Sequence, residues 1–293
     1  MTKKELNEAL RKRFLSNMPS YDGYEYYVRE REQIVDAFND EKIANCLERD
    51  FEKGSGGELN AAGTRPPKMH AVYSSSAQCV NAFAVPAYGN MSIDGLWKTL
   101  LGTELLGAMK DMGFERQYKV NLLQSCKKVK GTPPNLDFAI ECEGGIIAIE
   151  SKLGEIFEDH DQTISNTYFT KSILADERNV ALCDLARRVH LGEEKYTKLN
   201  AAQLIKHSLG LMSACQEKDS FKLGYFYNEA ASCNEHDDQV EKFRDSMSKA
   251  GVKMFVSTYQ DMIKRLNDFR CDDPAFVKYR RWFSDHYLLD FKL

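Results

Sequence analysis

Residues 134–153 read PNLDFAIECEGGIIAIESKL, two apolar runs joined by a glycine pair, and this stretch constrains the fold most. Gly-Gly between strand-like runs predicts a two-residue hairpin turn at Gly144-Gly145, with Glu143 facing Ile146. Asp137 then faces Lys152 and Ala139 faces Glu150. Alternation places Asp137, Ala139, Glu150 and Lys152 on one face of the hairpin. Leu136, Phe138, Ile140, Ile147, Ile149 and Leu153 fall on the other. In this register one face is core and the other holds three charges. Asp137 and Glu150 become diagonal neighbours, roughly 7–8 Å apart at the backbone, within reach of a common ion.

Two carboxylates converging beside an ammonium suit one chemistry well. A hard divalent cation binds a few carboxylate oxygens and keeps waters, which leaves positions for a phosphate oxygen and an attacking water. Lys152 would supply positive charge where the transition state gains negative charge, or position and deprotonate the water. That is phosphodiester hydrolysis. The alternative is an ordinary surface hairpin with an Asp–Lys cross-strand pair, worth little in stability. IIAIESKL argues against it, because the run is apolar up to Glu150, as in a central strand, and charges at the end of such a strand point to function.

Elsewhere the periodicity is mostly helical. REREQIVDAFNDEKIANCLERDF (29–51) predicts a helix, followed by a glycine-rich break, GSGGELNAAGTRPPK. Ser92 predicts the cap of a helix through SIDGLWKTLLGTELLGAMKDM, ending at Gly113. FERQYKVNLL, LDFAIECE and IIAIESKL then read as three strands. DERNVALCDLARRVHL and NAAQLIKHSLGLMSACQ read as helices, FKLGYFYNE as a strand, QVEKFRDSMSKAG as a helix and VKMFVST as a strand. Helices TYQDMIKRLNDF and PAFVKYRRWFSDHYL close the chain. This order predicts an α/β fold, a central mixed sheet flanked by helices. A helical N-terminal extension over 1–91 precedes the catalytic region, 92–293, the two forming one continuous unit.

The eight cysteines lie singly, without zinc-site spacing or the density of a disulfide scaffold, and are read as reduced thiols of a cytoplasmic protein. No segment reads as a secretory signal or a membrane span. The net charge of −4 argues against a coat of positive charge for nonspecific nucleic-acid binding, though not against a local basic site.

Asp137, twelve intervening residues and then Glu150-Ser151-Lys152 resemble the PD-(D/E)XK motif of the restriction endonuclease-like nucleases. The helix, three strands, helix and strand order from about residue 92 to 228 is similar to their core. Leu136 stands where the motif has proline. The whole chain also resembles bacterial restriction-endonuclease-like proteins with a GSGGEL-like segment before the core and a YQDMI-like segment near the end. The resemblance implies that Asp137, Glu150 and the backbone carbonyl of Ser151 hold a metal ion, Mg²⁺ with Mn²⁺ as substitute, and that Lys152 is the catalytic lysine. It implies DNA as substrate, cut in restriction or defence, with repair or recombination and a non-catalytic DNA-binding module as alternatives. A homodimer is among the assemblies open to such a protein.

Other candidates follow from the same likeness. Glu104, on the helix expected before the first strand, stands where many such nucleases carry an acidic group that contacts the metal or its water, a plain helix-surface glutamate being the equal alternative. From the residues alone, Lys127, Lys128 and Lys130 form either a basic loop near the site that holds DNA phosphates or a plain solvated charge run, neither being favoured. Glu155 either orients Lys152 or begins a polar loop, the second being favoured. Gln203 and Lys206 either face the site or belong to a plain amphipathic helix, again the second. The six histidines show no ligand spacing and are read as structural or exposed.

Overall fold

The computed structural model describes residues 1–15, 20–54, 57–120, 133–169, 173, 176–215 and 220–289. The N-terminal third contains helix α1 (Lys3–Leu15), a small hairpin of β1 (Ser20–Tyr21) and β2 (Tyr24–Val28), helix α2 (Glu41–Lys53) and helix α3 (Ser75–Tyr88). The extension expected to be helical therefore includes a strand pair. The expected helix over 29–51 is shorter, because Asp40 accepts from the backbone N–H groups of Lys42 and Ile43 and caps α2 there, leaving two 3₁₀ turns before it.

Helix α4 (Leu96–Leu101) corrects a second expectation. The chain leaves the helix at Gly102, whose φ of +69° is readily adopted only by glycine, and the Arg265 guanidinium sits against it. Of the residues expected to extend the helix, those from Met109 on instead belong to strand β3 (Met109–Arg116), at the edge of the main sheet. Next come β4 (Leu136–Cys142) and β5 (Gly145–Lys152). The rest follows the sequence closely: α5 (Glu177–His190), α6 (Ala201–Ala214), β6 (Phe221–Tyr227), α7 (Asn234–Lys249), β7 (Met254–Thr258), α8 (Tyr259–Asp268) and α9 (Pro274–Tyr287).

The five-stranded sheet has the order β3-β4-β5-β6-β7, antiparallel across β3, β4 and β5 and parallel across β5, β6 and β7. This is the expected α/β class, a mixed sheet flanked by helices. One face carries Phe138, which stacks on Phe83 of α3 at 4.9 Å and on Trp97 of α4 at 5.9 Å. On the same face Phe226 packs against Tyr259 of α8. The opposite face is covered by α6 and α7, whose buried His207 and His236 reach Glu150 and Tyr225. Both faces are thus core, and the charges expected on an open face are enclosed.

The β4–β5 register also differs. Cys142 pairs with Gly145 and Phe138 with Ile149, so the turn is Glu143-Gly144 rather than Gly144-Gly145. Gly145 begins β5 with φ +141°, and a Cβ there would meet the Ser220 carbonyl oxygen at 1.7 Å. The glycine admits the chain before β6. The slip is two residues, so each side chain keeps its predicted face. Asp137 now stands directly across from Glu150 instead of diagonally to it.

Candidate active site

The ladder of β4 and β5 sets the centre of the site. The Ser151 backbone N–H donates to Asp137 Oδ2 at 2.6 Å, fixing the aspartate beside the neighbouring strand. Glu150 is 1% exposed. Lys152 donates to Glu150 Oε1 at 2.5 Å. His207 Nε2 lies 3.0 Å from Glu150 Oε2, and both side chains are buried.

Electrostatics separates the two carboxyls. Burial pushes Asp137 well above the usual carboxylate range, and the neighbouring Glu150 charge adds to it. Burial also opposes ionisation of Glu150, yet the Lys152 ammonium and the nearby His207 ring outweigh it and hold that carboxyl low. Burial disfavours the charged form of Lys152 too, but Glu150, Glu155 and Asp137 more than compensate and keep it a cation. Ser151 is fully buried on the other face, its hydroxyl 2.7 Å from the Tyr259 hydroxyl.

Sequence reasoning did not single out Glu115. The β3–β4 ladder pairs Phe114 with Phe138 and Arg116 with Leu136, which brings Glu115 opposite Asp137. Its backbone has φ +53°, a strained value for a glutamate. Asn135 donates to its Oε2 at 2.5 Å. Burial raises its carboxyl to about 7, against the Asn135 hydrogen bond and with help from Glu58 and Glu150. Gly54 lies against it: a Cβ there would meet Glu115 Cβ at 2.6 Å. The first residue of the glycine-rich segment thus lets the N-terminal third close over the site.

The other expected residues divide. Glu104 lies outside the cluster: in the loop after α4, its exposed carboxylate pairs with Lys98 of that helix. Because the chain turns at Gly102, the helix meant to aim Glu104 at the site does not exist. Glu155 does bear on Lys152 through its charge, and it also accepts from the Leu153 N–H and the Ser75 hydroxyl as it opens a 3₁₀ turn. On α6, the residue brought to Glu150 is His207. Lys206 is half-buried beside Asp161, and the Gln203 backbone takes the Asn200 cap. The spacing of Gln203 and His207 was the available signal, since i and i+4 share one side of a helix. Lys127, Lys128 and Lys130 lie outside the described residues. Next to Glu155 opens a cleft of about 340 Å³ whose lining includes Arg65, Lys68, Tyr73 and Ser75.

Among the described residues, no group of three or more His, Cys, Asp or Glu side chains is gathered as a ready metal cage. One Asp137 oxygen is taken by Ser151 and one Glu150 oxygen by Lys152. The donors nevertheless suit a cation. Glu150 Oε2 is a buried oxygen left free of Lys152 on the His207 side, and Asp137 is disfavoured as an anion by burial and by the Glu150 charge beside it.

The family described as restriction endonuclease associating with ARP matches residues 3–288. The chain belongs to that family. Comparison with curated proteins and with solved structures found no match. Membership of a restriction-endonuclease family agrees with the sheet and helices described above and implies a nuclease that interacts with DNA. Among the described residues, no helix is long and apolar enough to cross a membrane.

Proposed function

We propose that this member of the restriction endonuclease family is a divalent-cation-dependent endodeoxyribonuclease that hydrolyses phosphodiester bonds in restriction or defence. The observation that carries the reading is the placement of Asp137 opposite Glu150, with the Lys152 ammonium on the same strand end. Asp137, Glu150 and the Ser151 carbonyl would hold Mg²⁺, with Mn²⁺ as substitute. The ion would polarise a phosphate oxygen and activate a water. Lys152, kept protonated by three carboxylates, meets the substrate as a cation. Of its two conceivable roles, stabilising negative charge therefore fits better than taking a proton from water. The enclosed setting strengthens that charge interaction, because the surrounding side chains respond less than water would. Arg65 and Lys68, in the cleft beside Glu155, are suited to steady the phosphate backbone.

The test is incubation of purified protein with plasmid DNA and Mg²⁺, followed by mapping of the ends. Nicks or breaks that appear with Mg²⁺ or Mn²⁺ and vanish in excess chelator are expected. Ca²⁺ should permit binding with little cleavage, since its longer, looser shell aligns the water poorly. Undiminished cleavage in chelator would remove the mechanism.

A further inference from the structure

The cleft beside Glu155 lies against the catalytic centre at two points. Glu155 bears on Lys152 through its charge, and Glu58 and Lys68, also in the lining, bear on the Glu115 carboxyl. Most of the charges in the cleft are already matched. Lys68 pairs with Glu58 at 3.0 Å, Lys3 pairs with Glu158, and Glu155 accepts from the Ser75 hydroxyl and the Leu153 N–H. Arg65 is different. Its Nε and Nη2 both donate to the Tyr27 hydroxyl, at 3.1 and 3.0 Å, and it forms no ion pair among the described residues. A neutral phenol therefore orients this guanidinium without cancelling its charge. Tyr73 is fixed in the same cluster. Its hydroxyl donates to Tyr27 at 3.2 Å, and its ring meets those of Tyr27 and Tyr26 edge-on, with centroids 6.0 and 6.5 Å away. It is nevertheless only half-buried and lines the cleft. A rigid ring that stays partly open, beside an arginine with no acid, combines the two features that grip a base and its phosphate.

We propose that the cleft seats an unpaired nucleotide adjoining the bond that is cut, with its base on Tyr73 and its phosphate on Arg65, and that the protein therefore acts on single-stranded stretches of DNA in preference to intact duplex. The proposal rests on the nuclease reading and narrows its substrate. Size favours the unpaired form, because a cleft of about 340 Å³ takes in a single nucleotide and excludes a duplex. A base within a duplex also offers no face to a tyrosine, since its stacked neighbours cover both. The competing role for the cleft is to follow the backbone of a duplex, which needs the cations alone and gives Tyr73 no task.

Binding of the full chain to labelled oligonucleotides in Ca²⁺, read by fluorescence anisotropy, tests this separately from cleavage. A single strand is expected to bind at least about tenfold more tightly than the blunt duplex of the same sequence, and Tyr73→Leu should remove most of that margin. Tyr73→Phe keeps the ring and should preserve it. Arg65→Gln should lower the slope of log affinity against log salt by about 0.7, the share of one phosphate contact on a single strand. The unaltered protein gives a second reading: ultraviolet cross-linking to a single strand carrying iodouracil should label Tyr73, so a poorly folded variant leaves the test intact. Duplex bound as tightly as single strand, or adducts at other residues with none at Tyr73, overturns the proposal. Plasmid cleavage that persists with Mg²⁺ then spares the nuclease reading. Protein that binds neither form of DNA and leaves plasmid intact overturns the nuclease reading itself, and this proposal with it.

Discussion

Glu115 carries the most readily measured charge in the cluster. Burial lifts its carboxyl from 4.5 to about 7, so between those values the folded protein holds a proton that the unfolded chain has released. Stability is therefore fully present below about pH 4.5 and is lost as pH rises toward 7. In chelator, Glu115→Gln is expected to flatten that part of the pH profile and to gain roughly 2–3 kcal/mol at pH 8. Denaturant titrations at pH 5 and pH 8 check this, and equal slopes in variant and wild type would contradict it. For catalysis, Asp137→Ala and Glu150→Ala should each abolish cleavage with the fold retained. Lys152→Ala should slow cleavage about a hundredfold or more while leaving metal affinity near the wild-type value. Plasmid cleavage read beside calorimetry checks the division, and lost metal affinity in the lysine variant would refute it. Asp137, Glu150 and Lys152 were legible because motif and strand alternation coincide on them. Glu115 and His207 were not, since one depends on the pairing of an edge strand assigned to a helix and the other on which side of α6 faces the sheet.

Edge strand β3 is held from outside the sheet by Asp50 on α2. That aspartate, 2% exposed, accepts from the Phe114 backbone N–H at 3.1 Å and from the Tyr88 hydroxyl. Asp50→Ala would strand a buried backbone donor and release α3 from α2, and a loss of about 2–4 kcal/mol is expected. Amide exchange at Phe114 should accelerate by more than the global change; protection equal to wild type would argue against this role for Asp50. The same pairing of elements explains what local sequence conceals. LWKTLLGTELLGAM has helical periodicity throughout, but the stop at Gly102 is backed by Arg265, whose guanidinium donates to the Thr99 and Leu100 carbonyls from α8. Such a contact leaves no trace in a short window. Helix α3 escaped notice for another reason: residues from Ser76 to Ala84 are buried without interruption, so it has no polar face to create a period. The β4–β5 faces were legible because alternation survives a slip of two residues, whereas the turn was misplaced by the space Gly145 must leave for Ser220.

At the scale of the molecule, residues 1–91 and the remainder share one core. Phe83 stacks on Phe138, the Ser151 hydroxyl donates to the Ser75 carbonyl, and Asn81 donates to the Tyr287 hydroxyl at 2.9 Å. A fragment of residues 92–293 is therefore expected to lack fixed tertiary structure, seen as a collapsed near-ultraviolet circular dichroism signal. A cooperatively melting fragment would refute the shared core. The contact between α1 and α9 carries a further consequence. Arg13 donates to the Asp285 carbonyl at 2.9 Å across a sequence separation of 272 residues, and Phe14 packs on Tyr287 at 5.5 Å. Tyr279 on the same last helix donates to the Ala82 carbonyl, tying down the element that supports the catalytic strands. Docking α9 against α1 thus closes a very long loop, a non-local contact that forms only after both ends are present. A chain still leaving the ribosome, with β4 and β5 already made but α9 not yet released, is expected to hold its carboxylates without the wall that fixes them, so that synthesis itself delays the appearance of a cutting enzyme.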